Sequence, residues 1–121
     1  MRALTIALAI SVCLAALGCH SAFVSATISN HRSTAVTLVE VDYLSARFGI
    51  QKLAPGEEYR YKFKVMGKGP TTLLWSEQSK QGQKDFGPVL REGDEGTLNI
   101  TFPADGPPTW DVRLKNNSLP R

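Results

Sequence analysis

Apolar and polar residues alternate with a period of two along most of the chain from residue 23 onward, and no stretch there keeps a helical period. The clearest case runs from Tyr59 to Val65, where aromatic or apolar residues alternate with Arg60, Lys62 and Lys64. This alternation is typical of an antiparallel strand with one buried face and one face in water. The sequence therefore predicts a strand here, with three cations on its outer face.

The same pattern predicts further strands, separated by segments rich in glycine, proline or polar residues. They cover 23–29, 35–44, a short segment around Gly49, 71–77, a weaker strand from Phe86, 97–102 and 109–115. The predicted inward residues are Val24, Ala26, Ile28, Val39, Val41, Tyr43, Tyr59, Tyr61, Phe63, Val65, Leu73, Trp75, Leu98, Ile100, Phe102, Trp110, Val112 and Leu114. The predicted connections are 30–33, 54–57, 67–70, a polar loop at 79–84, 91–96 and a rigid segment at 103–108.

Seven or eight short strands with this spacing predict an all-β fold, and more narrowly a single antiparallel β-sandwich of the immunoglobulin-like type. The cysteine pair of antibody domains is absent, so the subtype follows only from the number and spacing of the strands. We place this single domain at 23–115, followed by a polar tail at 116–121.

The first nineteen residues differ in character from the rest of the chain. Arg2 precedes an apolar run from residue 3 to 17, which ends at Gly18 and Cys19. A cationic start, an apolar stretch of this length and small residues at its end predict an export signal at 1–18. Cleavage there leaves a tether at 19–22 and puts Cys19 at the new N-terminus, as in the bacterial lipobox. We therefore predict a lipid on Cys19 and anchoring in a bacterial envelope, facing the periplasm or in the outer membrane.

Two other interpretations of this segment stay open. Cleavage after Ala26, with Val24 at position −3, would give a secreted or soluble periplasmic protein. A permanent transmembrane anchor would need about 20 apolar residues, and the run from residue 3 to 17 is shorter. Cysteine usage favours lipidation: Cys13 leaves with the signal, so Cys19 has no disulfide partner within the mature chain.

Several turn and core segments of the predicted domain resemble those of one known group of proteins. These segments are 27–30, 40–43, 48–49, 53–56, 59–64, 87–88, 92–93, 95–98 and Trp110. In them the chain resembles small uncharacterised bacterial envelope lipoproteins with an immunoglobulin-like β-sandwich domain. The resemblance implies the fold and the location, and it implies no activity, cofactor or catalytic residue.

The residue types that usually carry catalysis or metal binding form no recognisable set in the sequence. Only His20 and His31 remain beyond the predicted signal, and no Gly-x-Ser-x-Gly elbow occurs. Glu40 and Asp42 lie two residues apart on one predicted strand face, and we interpret them, like the acidic turn at 92–95, as solvated groups. Zinc ligands, an EF-hand loop and a phosphate-binding loop are also missing. We therefore expect a non-enzymatic protein without a cofactor or metal.

The strongest surface signal is basic. Arg60, Lys62 and Lys64, with Lys68 just beyond, form a stripe that suits an anionic lipid, an acidic glycan or an envelope protein. The same charges also discourage edge-to-edge aggregation of strands. A net charge of +3 is too small for a dedicated nucleic-acid binder. We expect an interaction module at the membrane surface, or alternatively a secreted binding or inhibitor domain that acts through the segment at 103–108.

Overall fold

The computed structural model describes residues 22–116, and these residues form eight β-strands and no helix. The predicted signal at 1–18, the lipid site Cys19, residues 19–21 of the tether and residues 117–121 of the tail lie outside the described residues. The strands are β1 (Val24–Asn30), β2 (Val36–Tyr43), β3 (Ala46–Leu53), β4 (Glu58–Phe63), β5 (Gly69–Glu77), β6 (Lys80–Leu90), β7 (Glu95–Phe102) and β8 (Thr109–Lys115).

The strands form two four-stranded sheets around one hydrophobic core. The first sheet has the order β4-β1-β7-β8, and the second has the order β3-β2-β5-β6. Aromatic side chains meet between the sheets: the rings of Trp75 and Phe102 are 5.3 Å apart, and those of Phe48 and Phe63 are 5.2 Å apart. The all-β prediction is confirmed, and the two sheets are consistent with the predicted β-sandwich.

One strand pair departs from the antiparallel prediction. β1 and β7 run parallel, with Val24 opposite Gly96 and Ile28 opposite Ile100, whereas the other pairs are antiparallel. The cause is the direction of β6, which ends at the end of the sandwich where β1 begins. The short connection at 91–94 then sends β7 in the direction of β1. As a result, β1 is a central strand with neighbours on both sides.

The strands connect at two opposite ends of the sandwich, which we call the N-terminal end and the loop end. The N-terminal end contains residues 22–23, where the chain enters β1, the connections 44–45, 64–68 and 91–94, and Asn116. The loop end contains the connections 31–35, 54–57, 78–79 and 103–108.

The core contains most of the residues that the alternation placed inward, and the differences lie at the sheet edges. Tyr61 on edge strand β4 is 41% exposed, although its ring stacks on Phe48 at 4.6 Å. Tyr59 and the three inward residues of edge strand β8 are half-buried. An edge strand has a neighbour on one side only, so its inward residues are less completely covered.

The predicted polar loop at 79–84 is wrong. β5 and β6 are joined by a two-residue turn at Gln78 and Ser79, and β6 starts at Lys80. Phe86 lies in the middle of this strand and is 73% exposed, so it does not begin a separate weaker strand. Polar residues fit β6 because it is an edge strand with one face in water.

β2 contains a β-bulge that the sequence pattern did not reveal. Its register against β5 shifts between Thr37 and Glu40, and Leu38 has a φ of 51°. A left-handed backbone at a leucine is strained by roughly 1–2 kcal/mol. The bulge lets both Val36 and Val39 face the core, which strict alternation forbids.

Candidate functional site

The structure divides the predicted basic stripe into two parts. Arg60 and Lys62 are exposed on edge strand β4, opposite Thr27 and Ser25 of β1. The other two cations lie beyond the strand, in the connection 64–68 at the N-terminal end, and both are exposed. We call the three residues nearest this end, Lys62, Lys64 and Lys68, the lysine group.

Arg60 differs from the lysine group in its surroundings. Its Nη2 atom lies 3.1 Å from Oε2 of Glu58, two residues earlier on the same strand. The Nζ atom of Lys62, in contrast, lies 4.8 Å from the ring centroid of Phe23, at the entry of the chain. The charge of Arg60 is therefore partly compensated, whereas no carboxylate within residues 22–116 forms an ion pair with the lysine group.

Two exposed apolar side chains, Leu44 and Met66, lie at the N-terminal end as well. Leu44 is 70% exposed in the connection between β2 and β3, and Met66 is 48% exposed in the connection 64–68. The two connections touch, because the backbone N–H of Met66 donates to Oγ of Ser45 at 3.2 Å. Leu44 also covers Gly69, where any Cβ would collide with the leucine side chain. We call Leu44 and Met66 the apolar pair.

The alternation pattern does not reveal the apolar pair. It predicts residue 44 as the last residue of a strand, and it assigns no role to Met66. The available signal was a large apolar residue within a connection, next to the turn residues Ser45 and Gly67. The alternation of apolar and polar residues does not reveal this signal, because it identifies strands and not the segments between them.

Tyr43 fixes the connection that carries Met66. The Tyr43 hydroxyl donates to the carbonyl oxygen of Gly67 at 2.7 Å. Burial, with the carboxylates of Asp94 and Glu92 nearby, raises the pKa of Tyr43, so this hydroxyl stays a donor throughout the neutral pH range. The backbone N–H of Gly67 donates in turn to Oε1 of Glu92 at 3.3 Å. The connection is therefore held in place beneath its exposed side chains.

A concave surface lies on the second sheet, which contains β3, β2, β5 and β6, beside the β2 bulge. It is an open groove of about 670 Å³ between β2, β3, β5 and β6, and its apolar lining includes Leu38, Ile50 and Leu74. Two charged residues of the lining, Glu40 and Arg47, are paired with each other, with 3.8 Å between Oε1 and Nε. The groove thus offers mainly apolar surface.

The predicted pair Glu40 and Asp42 shares Arg47 of β3. The Nε atom of Arg47 lies 3.1 Å from Oδ1 of Asp42. Desolvation raises the pKa of Glu40, the hydrogen bond and the charge of Asp42 raise it further, and Arg47 opposes these effects. Both carboxylates lie on one strand, whereas paired glycosidase carboxylates face each other across a cleft.

We expect Glu40→Gln to gain stability relative to the unaltered protein as the pH rises. The pKa of Glu40 in the folded state is above the ordinary value of 4.5, so ionisation of this carboxyl disfavours folding. This destabilisation is absent well below pH 4.5, where the carboxyl is protonated in both the folded and the unfolded state. It develops as the pH rises through and above this value. Urea unfolding at about pH 3 and pH 7 measures the difference. Glu58→Gln on β4 is the matched control, and an identical pH response of the two variants would contradict the assignment.

The segment at 103–108 lies at the loop end and is fastened by Arg32, from the connection after β1. Nη2 of Arg32 donates to the carbonyl oxygen of Gly106 at 2.8 Å. The same guanidinium lies 5.4 Å from the Trp75 ring and 5.7 Å from the Phe102 ring. Residues 104–107 are exposed. The predicted connection is therefore present, and it faces solvent at the end opposite the lysine group.

Within residues 22–116, no group of three or more His, Cys, Asp or Glu side chains is placed to hold a metal ion. The same part of the chain contains no helix long and apolar enough to span a bilayer. A comparison with known protein families, curated proteins and solved structures finds no match to this chain. The candidate site therefore rests on geometry alone: the lysine group and the apolar pair at the end where the chain enters the domain.

Proposed function

We propose that this protein is a non-enzymatic envelope lipoprotein whose β-sandwich acts as a binding module at the membrane surface. After removal of the signal at 1–18, a lipid on Cys19 anchors it to the membrane. The observation that carries the proposal is the position of the chain entry. β1 starts at Val24, only a few residues after Cys19, and it starts at the end of the sandwich that bears the lysine group.

The burial of β1 supports cleavage before Cys19 over cleavage after Ala26. Val24 and Ala26 are fully buried, and β1 pairs with β4 on one side and β7 on the other. Cleavage after Ala26 would remove three residues of this central strand, Val24 to Ala26. The loss would open the core and leave ladder hydrogen bonds of both neighbours unpaired. Lipoprotein processing keeps the strand whole.

The connectivity of the first six strands supports the immunoglobulin-like part of the proposal. β1 pairs with β4 in one sheet, while β3, β2, β5 and β6 follow one another in the other sheet. Strands B and E, and strands C′, C, F and G, have these neighbours in a variable-type immunoglobulin domain. β7 occupies the side of β1 where strand A lies in that fold, although β7 is parallel to β1.

Anchoring at the N-terminal end gives the two ends of the domain different surroundings. The lysine group faces the membrane, and the loop end, with the segment 103–108, points away from it. An envelope protein can then be bound at the loop end or on an outer sheet face while the lipid holds the domain in place. A secreted domain would use the same segment without the anchor, and mass spectrometry separates the two cases.

Membrane fractionation of Cys19→Ala tests the proposal. We expect the unaltered protein in the membrane fraction, with an N-terminal peptide that starts at an acylated Cys19. Cys19→Ala is expected to lose the acyl groups, and its processed form is expected in the soluble fraction. Cys13→Ala, in the apolar run that is removed, is the matched control and should behave as the unaltered protein does.

Two results would overturn the proposal. A mature N-terminus at Thr27, with no lipid, would support the secreted alternative. Equal membrane association of processed Cys19→Ala and the unaltered protein would mean that the cysteine is not the anchor.

A further inference from the structure

We propose that the N-terminal end of the sandwich docks on an anionic lipid bilayer, with Leu44 and Met66 entering the interface and the lysine group contacting headgroup phosphates. This inference rests on the proposed lipid anchor at Cys19, and it names the surface that the anchored domain turns toward the membrane. It also differs from the basic stripe predicted from the sequence. Arg60 is left out, and two apolar residues are added.

The length of the tether brings this end to the membrane. Ala22, the first described residue, lies three positions after Cys19, and these three steps span at most about 11 Å when the chain is fully extended. This greatest distance is somewhat longer than the Debye length of about 8 Å at physiological ionic strength, so fixed charges at this end act on the headgroups when the tether is less than fully extended. The tether therefore keeps the N-terminal end within about 11 Å of the anchored cysteine while the lipid stays inserted, so docking of this end needs only a short approach.

The apolar pair fits the interface of a bilayer. Leu44 and Met66 stand on two adjacent connections that are joined by the bond from Met66 N–H to Ser45 Oγ, and the Tyr43 hydroxyl holds the second connection. Insertion of the two side chains therefore needs no rearrangement of the backbone beneath them. Exposed apolar side chains beside cations are the combination that interfacial membrane anchors use.

The charges at this end also favour an anionic surface. The lysine group is exposed there, with Arg91 and Lys115 at the ends of β6 and β8. Three acidic residues lie at the same end: Glu92 accepts from the N–H of Gly67, Asp94 accepts from the N–H of Arg91 at 2.8 Å, and Glu95 starts β7. The five cations outnumber these three carboxylates, and each cation adds attraction to an anionic leaflet.

The depth of residue 44 in a bilayer tests the inference. The mature lipidated chain has no other reactive thiol, since Cys13 is removed and Cys19 carries the lipid, so Leu44→Cys can be labelled with an environment-sensitive fluorophore. The purified lipoprotein is placed in vesicles that contain phosphatidylglycerol and brominated phosphatidylcholine. We expect a blue-shifted emission that the brominated lipid quenches. Ala104→Cys, labelled in the same way at the loop end, is expected to show neither effect.

Charge reversal distinguishes the lysine group from the rest of the stripe. On the labelled Leu44→Cys background, Lys64→Glu with Lys68→Glu is expected to reduce the quenching to the level of the loop-end control. Arg60→Glu is the matched control and should leave the quenching unchanged. Circular dichroism confirms that each variant is folded. If Arg60→Glu reduced the quenching as much as Lys64→Glu with Lys68→Glu does, the proposal that the N-terminal end contacts the bilayer, and not the stripe along β4, would be overturned.

Flotation of the same vesicles separates this inference from the proposed function. Protein that floats with the vesicles while residue 44 stays in water would overturn the docking and leave the lipid anchor intact. Protein that does not float would overturn both. A label that is shielded in native membranes and exposed in protein-free vesicles would show that this end binds a protein, and it would also overturn the lipid assignment.

Discussion

Asn30→Asp is expected to destabilise the fold by about 3 kcal/mol or more at neutral pH, although the two side chains have nearly the same shape. Asn30 is fully buried at the end of β1. Its Nδ2 atom donates to the carbonyl oxygens of Thr34 and Leu53, each at 2.9 Å, and its Oδ1 atom accepts from the N–H of Arg32 at 2.9 Å. Both polar atoms of the amide are therefore used, and one bond reaches β3 in the other sheet.

In the aspartate variant, two of these three hydrogen bonds become repulsive contacts. A carboxylate has no donor, so the carbonyl oxygens of Thr34 and Leu53 would lose their partner and face a negative charge instead. Each buried polar group left without a partner costs about 1–3 kcal/mol. The pKa of the new carboxyl would be raised, so the loss of stability should be smallest in acid and should grow as the pH rises above about 4.

Urea unfolding of Asn30→Asp across this pH range measures the effect. Asn99→Asp is the matched control, because Asn99 is only half-buried in the adjacent strand β7. We expect the control to change the free energy of unfolding by less than about 1 kcal/mol. Similar losses in the two variants would mean that the amide bonds of Asn30 do not hold the sheets together.

The sequence predicted the strands of the core and not the features that depend on long-range contacts. Alternation identified β1, β2, β7 and the inward residues that define them, because burial of one face sets the spacing along each strand. The same reasoning placed Asn30 in a turn. Its burial depends on Thr34 and Leu53, and Leu53 is 23 residues away along the chain. No local pattern contains that information.

In the candidate site, too, the sequence predicts some features from local patterns and misses those that depend on long-range contacts. Lys62 and Lys64 could be found from the sequence because they alternate with apolar residues between Tyr59 and Val65, and Lys68 follows just beyond this run. The compensation of Arg60 by Glu58, and the contact between the connections at Leu44 and Met66, depend on side-chain direction and on strand order. The β2 bulge at Leu38 is similar, since its position follows from the pairing of β2 with β5.

Glu77→Gln is expected to cost about 3 kcal/mol, because it removes the charge partner of a largely buried arginine. Glu77, at the end of β5, and Arg32, after β1, have side chains that are only 12% and 11% exposed, and Arg32 Nε lies 3.5 Å from Glu77 Oε1. That Nε atom is buried and has no hydrogen-bond partner in the described structure. Without the carboxylate, the guanidinium keeps one bond, to the carbonyl oxygen of Gly106, and its contacts with two aromatic rings.

The double variant Arg32→Leu with Glu77→Leu decides whether burial of the charges is the cause. Removing one partner leaves an uncompensated buried charge, whereas replacing both by apolar residues is often nearly neutral. We therefore expect the double variant to be more stable than either Arg32→Leu or Glu77→Leu alone, as measured by urea unfolding. Additive losses would instead indicate that the two residues act separately.

The exposed pair Arg60 and Glu58 supplies the control for burial. Its side chains are 77% and 47% exposed, and the ion pair distance is 3.1 Å, shorter than that between Arg32 and Glu77. Distance alone would rank the β4 pair as the stronger one, but exposed pairs contribute only about 0–1 kcal/mol. Glu58→Gln should therefore change stability by less than about 1 kcal/mol, and a loss as large as that of Glu77→Gln would contradict the burial argument.

Because Arg32 also holds Gly106, hydrogen exchange in the segment 103–108 should rise in Glu77→Gln and stay unchanged in Glu58→Gln.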